Sequence, residues 1–347
     1  VKVFEPHKMG QGVRILGTGT CLPARVVTND DLVAMGAPLS SEEMLKLSGI
    51  QTRRWVVDGE ATSDLARVAA QEALTRAGVG PATVDRLILA TVSPDHPSPA
   101  TACLLQHQLN LPAIPAYDVT ATCSGFVYAL EQAARAVCTG DQHVLAIAAD
   151  TRSRWLNVKD RATCALFGDG AGAAVVGRGP TGDGLLAAGV ASDGTGFKSV
   201  FVPMGGSREP TTAEGAAAHR NTIYMADGPQ VYMSAVEGML TTAETLLKHL
   251  GLTLGDVDCV VPHQANKRLL ERFIRLARLP PDKVHVNVDR LGNISGASTA
   301  VAFHEALRDP RMCAGQRVLI LAAGAGYTAG AVLYRVDQAL LDAARGA

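Results

Sequence analysis

Apolar residues recur along the chain in two spacings. Stretches 63–77 and 231–250 carry Ala and Leu at helical intervals, and an amphipathic stretch beginning near Cys123 continues to about residue 137. Short apolar runs lie between them, as at 87–90, 143–149, 259–261 and 318–323. Run 318–323 lacks the alternation of a half-exposed strand, which predicts a strand buried on both faces. The elements also repeat. Gly78 is followed six residues on by Val-Asp and then an apolar run, and Gly251 is followed in the same way up to His263. Cys123-Ser-Gly125 and Asn293-Ile-Ser-Gly296 each open a helical stretch. Segment 140–149 answers 315–323, and 172–176 answers 330–334. Four matches in one order indicate duplication. Each half, 13–178 and 179–347, reads strand–helix–strand–helix–strand–strand. That alternation predicts mostly parallel sheets covered by helices, stacked into one compact, layered α/β unit.

Composition narrows the classes. With 47% hydrophobic and 19% charged residues among 347, the chain can build a large core. Only 4% of residues are aromatic against 35 glycines, which favours close backbone packing over aromatic clusters. A net charge of −1 gives no pull toward nucleic acid or anionic lipid. No apolar run approaches the roughly 18 residues of a membrane span, and segment 1–12 has no signal-peptide core. Seven cysteines without framework spacing read as free thiols of a reducing compartment, and no C-x-x-C pair suggests zinc. The expectation is a soluble, cytoplasmic protein with no metal site and no nucleic-acid or membrane partner.

Cys123 lies between a strand-like run ending near residue 119 and the start of a helical one. Unpaired N–H groups and the helix dipole at such a start stabilise a thiolate, which is the nucleophilic form. The bland alternative is a buried structural thiol, as Cys103, Cys138, Cys164, Cys259 and Cys313 are read. His263 follows the run 259–261, and Asn293 holds nearly the place in the second half that Cys123 holds in the first. Parallel α/β sheets gather their sites at strand C-terminal ends, so the three residues are expected in one cleft. Taken singly, His263 reads equally well as a hydrogen-bonded core residue, and Asn293 and Asn266 as turn residues or helix caps. The glycine-rich run 168–173 lacks the spacing and the Lys of a phosphate loop, and is expected to allow tight packing near the site.

Five motifs in combination carry a resemblance. They are Thr122-Cys-Ser-Gly-Phe126, Phe167-Gly-Asp-Gly-Ala-Gly-Ala173, Pro262-His-Gln-Ala-Asn266, Gly292-Asn-Ile-Ser-Gly-Ala-Ser298 and Gly324-Ala-Gly-Tyr-Thr-Ala-Gly330. Over about 13–335 the chain resembles the β-ketoacyl-acyl-carrier-protein synthase III family of the thiolase superfamily. The resemblance implies a five-layered αβαβα fold of two duplicated halves, assembled as a homodimer. It implies that Cys123 accepts an acyl group from acyl-CoA or an acyl carrier protein. The N–H groups of Cys123 and Ala325 would then form the oxyanion hole. His263 Nε2 and Asn293 Nδ2 would hold the enolate oxygen as malonyl-acyl carrier protein loses carbon dioxide, giving 3-ketoacyl-acyl carrier protein with no cofactor beyond the substrates. Asn266 would support the site, Phe167 and Ser98 would belong to the acyl pocket, and Arg161 and Arg268 would contact phosphopantetheine or the carrier protein. Solvated surface charge is the other reading of the two arginines. The rival activity is a non-decarboxylating acyl transfer from Cys123 to an alcohol or amine. A papain-like protease fails because its Cys lies near the chain start in a different motif.

Three departures refine this. Glu43 and Leu47 stand where the resemblance implies a Trp and an Arg that sandwich the adenine of coenzyme A, so stacking worth about 1 kcal/mol is absent. Ser98 stands where an aromatic from the partner subunit often closes the acyl pocket. A primer longer or bulkier than acetyl is therefore expected, each buried methylene contributing roughly 0.8 kcal/mol, although Ser98 also reads as a plain loop residue. Ala325 replaces a Gly, and its methyl group disfavours positive φ.

Overall fold

The computed structural model describes residues 6–8 and 12–346, so most of segment 1–12, read above for a signal sequence, lies outside the described residues. The first sheet contains β1 (Val13–Cys21), β2 (Arg86–Ala90), β3 (Ala116–Val119), β4 (His143–Thr151) and β5 (Asp169–Arg178), in the order β1-β5-β4-β2-β3. The second contains β6 (Gly184–Ser192), β7 (Cys259–Pro262), β8 (Arg317–Gly324) and β9 (Thr328–Arg335), in the order β6-β9-β8-β7, with the short strand His7–Lys8 outside β6. The two orders correspond strand for strand. The counterpart of β3 in the second half is reduced to a single parallel bridge between Val260 and Val284.

The sheets are mixed, not mostly parallel. β2 runs parallel to β3 and β4, and β7 runs parallel to β8, while β1–β5, β4–β5, β6–β9 and β8–β9 are antiparallel. The reason is local. Only residues 325–327 separate β8 from β9, and a turn that short joins strands only in antiparallel fashion. Between β4 and β5 the one helical element is the 3-10 turn Arg152–Trp155, too short to carry the chain across the sheet.

Seven helices matter for the site: α1 (Ser41–Ser48), α2 (Thr62–Ala77), α3 (Thr101–Gln108), α4 (Gly125–Thr139), α5 (Gly228–His249), α6 (Lys267–Leu276) and α7 (Ala297–Arg308). α4 and α7 lie between the sheets, sharing one core with Ile88, Ala146, Val176, Ile320 and Val332. α2 and α3 cover the outer face of the first sheet, and α5 and α6 that of the second. The result is five layers, helix–sheet–helix–sheet–helix. The many alanines and glycines let these layers approach closely. A Cβ on Gly172 of β5 would come within 2.5 Å of Ala300 Cβ on α7, so the glycine-rich run does serve packing.

All seven cysteines are free. Cys164 is buried and Cys138 and Cys259 are half-buried, but Cys103 and Cys313 are exposed and are not core residues. No helix among the described residues is long and apolar enough to cross a membrane. Among those residues no group of three or more His, Cys, Asp or Glu is arranged to hold a metal.

Candidate active site

Cys123 lies on a 3-10 turn, Thr122–Ser124, in the short link between β3 and α4. Thr122 takes positive φ (47°), and its Oγ1 donates to the carbonyl of Ala325 (3.0 Å). Thr328 Oγ1 lies 3.1 Å from the carbonyl of Ala121. The nucleophile's turn in the first half is thereby tied to the β8–β9 turn of the second. Gly324 closes the contact: a Cβ there would meet Thr122 Oγ1 at 2.6 Å and Cys123 N at 2.9 Å. The positive φ in this turn falls on Gly326 (131°), so Ala325 fits without the strain its methyl group would otherwise bring.

The electrostatics differ from the expectation of a stabilised thiolate. Burial pushes the Cys123 thiol up to about 11. Arg152 pulls it down and Asp150 raises it, while a side-chain hydrogen bond from Ser295 and the backbone N–H of Ala325 favour the anion without prevailing. His263, at the end of β7, is driven down to about 3 by burial and is a neutral imidazole. The pair therefore rests as thiol and imidazole.

His263 Nδ1 lies 2.7 Å from Ser298 Oγ, the first turn of α7 supplying the partner. Ser298 Oγ also lies 2.8 Å from the Ser295 carbonyl, and its single hydrogen serves one partner: given to Nδ1 it leaves the hydrogen of the neutral ring on Nε2, and given to the carbonyl it makes Nδ1 the donor. Asn293 Oδ1 accepts from the N–H of Ser295 (2.8 Å), which turns the amide so that Nδ2 is left as donor. Its backbone is clamped from both sides: Asn293 N donates to the Leu166 carbonyl (2.8 Å), and Gly168 N donates to the Asn293 carbonyl (3.0 Å). Gln264 does unanticipated work beside them. It is fully buried, donates to the Pro262 and His285 carbonyls, and accepts from the N–H groups of Asn287 and Val288.

Cys123, His263, Asn293, Ala325, Phe167, Asn266 and Arg161 all line one cavity of about 860 Å³, whose walls are mainly apolar. A cysteine facing a neutral imidazole and a fixed carboxamide can hold an acyl group while two donors stabilise an oxygen anion. The remaining sequence candidates are placed differently. Asn266 caps α6, accepting from Leu269 N at 2.8 Å, so it is both cap and wall residue. Arg161 stands at an exposed rim 3.7 Å from Glu43. Arg268 is off the cavity wall. Its guanidinium pairs with Glu271 (3.0 Å) and donates to the Lys46 carbonyl (3.1 Å), holding α1 against α6. Ser98 is exposed and lines no part of this chain's own cavity. Leu47 is 59% exposed at the rim. Sequence reasoning missed Arg152, Ser295 and Ser298 as working residues. The last two lie inside a quoted motif, whereas Arg152 lies in Asp150-Thr-Arg-Ser-Arg154, which carries no signal.

Known proteins resemble this chain in sequence and in fold. Models of 3-oxoacyl-[acyl-carrier-protein (ACP)] synthase III match residues 117–194, and of its C-terminal part residues 247–336; a thiolase N-terminal domain model matches 50–149. The β-ketoacyl-[acyl-carrier-protein] synthase III of Caldanaerobacter subterraneus subsp. tengcongensis is 44% identical over 315 residues, which span 90% of this chain and 95% of that one. The chain belongs to the β-ketoacyl-acyl-carrier-protein synthase III family. Synthase III of Symbiobacterium thermophilum is 41% identical over 93% of this chain and 98% of its own. The crystal structure of 3-oxoacyl-[acyl-carrier-protein] synthase III from Aquifex aeolicus VF5 superposes with a TM-score of 0.85 at 36% identity, covering 94% of this chain and all of that one. The priming β-ketosynthase of the R1128 polyketide pathway superposes at 0.86 with 29% identity, covering 97% and 99%. As a synthase III the chain is a condensing acyltransferase with the thiolase-like fold.

Proposed function

We propose that Cys123 carries the acyl primer and that His263 and Asn293 run the decarboxylative condensation. Cys123 Sγ attacks the acyl thioester, the carbon–sulfur bond to the donor breaks, and the Cys123 proton ends on the departing thiol. The N–H groups of Cys123 and Ala325 stabilise the tetrahedral oxyanion. Malonyl-acyl carrier protein then enters, and its carboxylate leaves as carbon dioxide. The electron pair passes to the thioester oxygen, held by His263 Nε2–H and Asn293 Nδ2–H. The enolate carbon attacks the acyl-Cys123 carbonyl, a carbon–carbon bond forms, and the Cys123 thiolate departs and takes up a proton. Support comes from one observation above all: Cys123, His263, Asn293 and Ala325 line the same cavity. A neutral His263 suits a donor to a developing enolate better than an imidazolium, whose desolvation the site disfavours.

The primer on this reading is longer than acetyl. The 860 Å³ of mainly apolar space is consistent with it, as is the absence of an aromatic at Ser98, approached from a partner subunit in a homodimer. The Glu43–Arg161 contact at the rim, together with Leu47, favours a carrier-borne donor over a tightly stacked coenzyme A. Intact-mass analysis after incubation with acyl-CoAs from acetyl to dodecanoyl, and with the same acyl groups on acyl carrier protein, tests this. Cys123→Ala serves as control. Longer acyl groups are expected to add to Cys123 faster than acetyl; a clear preference for acetyl would refute the primer assignment.

A further inference from the structure

Two arginines line the cavity. Arg161 is at the rim and faces Glu43. Arg152 is inside, 8% exposed, at the start of the 3-10 turn that follows β4. Its guanidinium lies 5.3 Å from the centre of the Phe167 ring, beside the wall that carries Cys123. Nε is buried without a hydrogen-bond partner, and among the described residues no hydrogen bond or ion pair fixes the terminal nitrogens.

A structural role would look different. Arg53 is also buried, but its terminal nitrogens donate to Asn29 Oδ1 and to the Ala165 carbonyl, both at 2.8 Å. Two carboxylates act on Arg152 through space, Asp150 and Asp169, yet their oxygens are engaged elsewhere. Asp150 accepts from Val92 N (2.8 Å) and Gly296 N (3.1 Å), and Asp169 from Val56 N (2.9 Å) and Ser153 N (2.8 Å). Terminal nitrogens that face the cavity without a protein acceptor are open to a bound acceptor, and pairing there would offset part of the cost of burying the guanidinium.

We propose that Arg152 is a specificity residue that binds a carboxylate at the far end of the acyl group on Cys123, so that the enzyme accepts half-thioesters of dicarboxylic acids, of the succinyl or glutaryl type. The inference rests on Cys123 as acyl carrier. A guanidinium presents a planar fork that matches a carboxylate through two parallel hydrogen bonds, and the contact with the Phe167 ring face takes up none of its N–H donors. The extender's carboxylate is the wrong occupant. It must leave as neutral carbon dioxide, and an ion pair made only in the ground state would raise that barrier.

The test compares Cys123 acylation in the full chain by acyl pairs of equal carbon number, succinyl against butyryl and glutaryl against pentanoyl, each on coenzyme A and on acyl carrier protein. Intact mass is the readout. The unaltered enzyme is expected to favour the acid-ended member by roughly a hundredfold, since a site with unpaired donors rejects an analogue that cannot fill them. Arg152→Leu is expected to lose that preference, read as the ratio of the two acylation rates whatever their absolute values, and Arg152→Lys to keep part of it. The comparison in the unaltered enzyme decides the matter even where a variant fails to fold. Preference for butyryl, or a succinyl preference that persists in Arg152→Leu, would overturn the assignment and leave Cys123 as acyl carrier intact. Acylation by no thioester of either kind would remove the acyl-carrier reading and this inference with it.

Discussion

Loss of water around Cys123 outweighs every group that favours its thiolate, so the unliganded protein holds a thiol there at neutral pH. The rate of Cys123 alkylation by iodoacetamide, followed site by site in peptide masses, should therefore be slow at neutral pH and still climbing at about pH 10. Exposed Cys103 and Cys313 should label first. A plateau for Cys123 near neutrality would contradict the burial argument. The motif around Cys123 was legible in the sequence, as were His263 and Asn293, because each sits in a local pattern. The state of the thiol was not, because it is a balance between burial and the opposing groups Arg152, Ser295 and Ala325, which come from segments far apart in the chain. Arg152 itself was invisible for the same reason. A charged residue in an unpatterned segment reads as surface until the fold buries it.

At the scale of elements, the site depends on two turns pressed together, Thr122–Ser124 against the β8–β9 turn. Gly324→Ala puts a methyl group 2.9 Å from Cys123 N and forces one turn to yield. Acylation of Cys123 should fall about a hundredfold, as misplacements near 1 Å do in catalytic sites, while the thermal midpoint moves little. Unchanged acylation would mean that the turns are looser than the packing implies. The matched segments of the two halves identified the strands and the helices α4 and α7. The direction of several strands was not legible, since it depends on whether a connection crosses the sheet, and links without an α-helix such as 152–168 and 325–327 do not. Arg268 was read as a carrier contact from its place after the His-Gln-Ala-Asn motif. Its side chain also meets Lys46 and Glu271, contacts that come from the packing of α1 on α6 and that the sequence did not signal.

At the scale of the molecule, polar ties connect the central layer to the active-site loops. Glu305 on α7 accepts from His285, Asn287 and Arg290, which precede the Asn293 loop. Burial pushes its carboxyl up, but these hydrogen bonds outweigh it and bring it from 4.5 down to about 2. A folded value below the unfolded one means that the contribution is present above about 4.5 and is lost as pH falls toward 2. Glu305→Gln should lower the denaturation midpoint at neutral pH and flatten its decline across that acid window. An unchanged acid limb would show that Glu305 is not a principal source of it. The layered α/β architecture followed from apolar patterning and repeats, because buried strands and the doubly covered α4 and α7 leave strong apolar signals. The strand His7–Lys8, polar and two residues long, left none.

On the proposed mechanism, acyl-Cys123 is the electrophile of a carbon–carbon bond-forming step directed by His263 and Asn293. The most direct measurement loads Cys123 with a primer, adds malonyl-acyl carrier protein carrying carbon-13 at the methylene carbon, and follows both protein masses in time. Expected are loss of the acyl group from Cys123 and its appearance as labelled 3-ketoacyl-acyl carrier protein with release of carbon dioxide, and near-abolition of both in His263→Ala and Asn293→Ala with Cys123 still acylated. Transfer of the primer to the carrier or another acceptor without decarboxylation, or condensation undiminished in both variants, would contradict it.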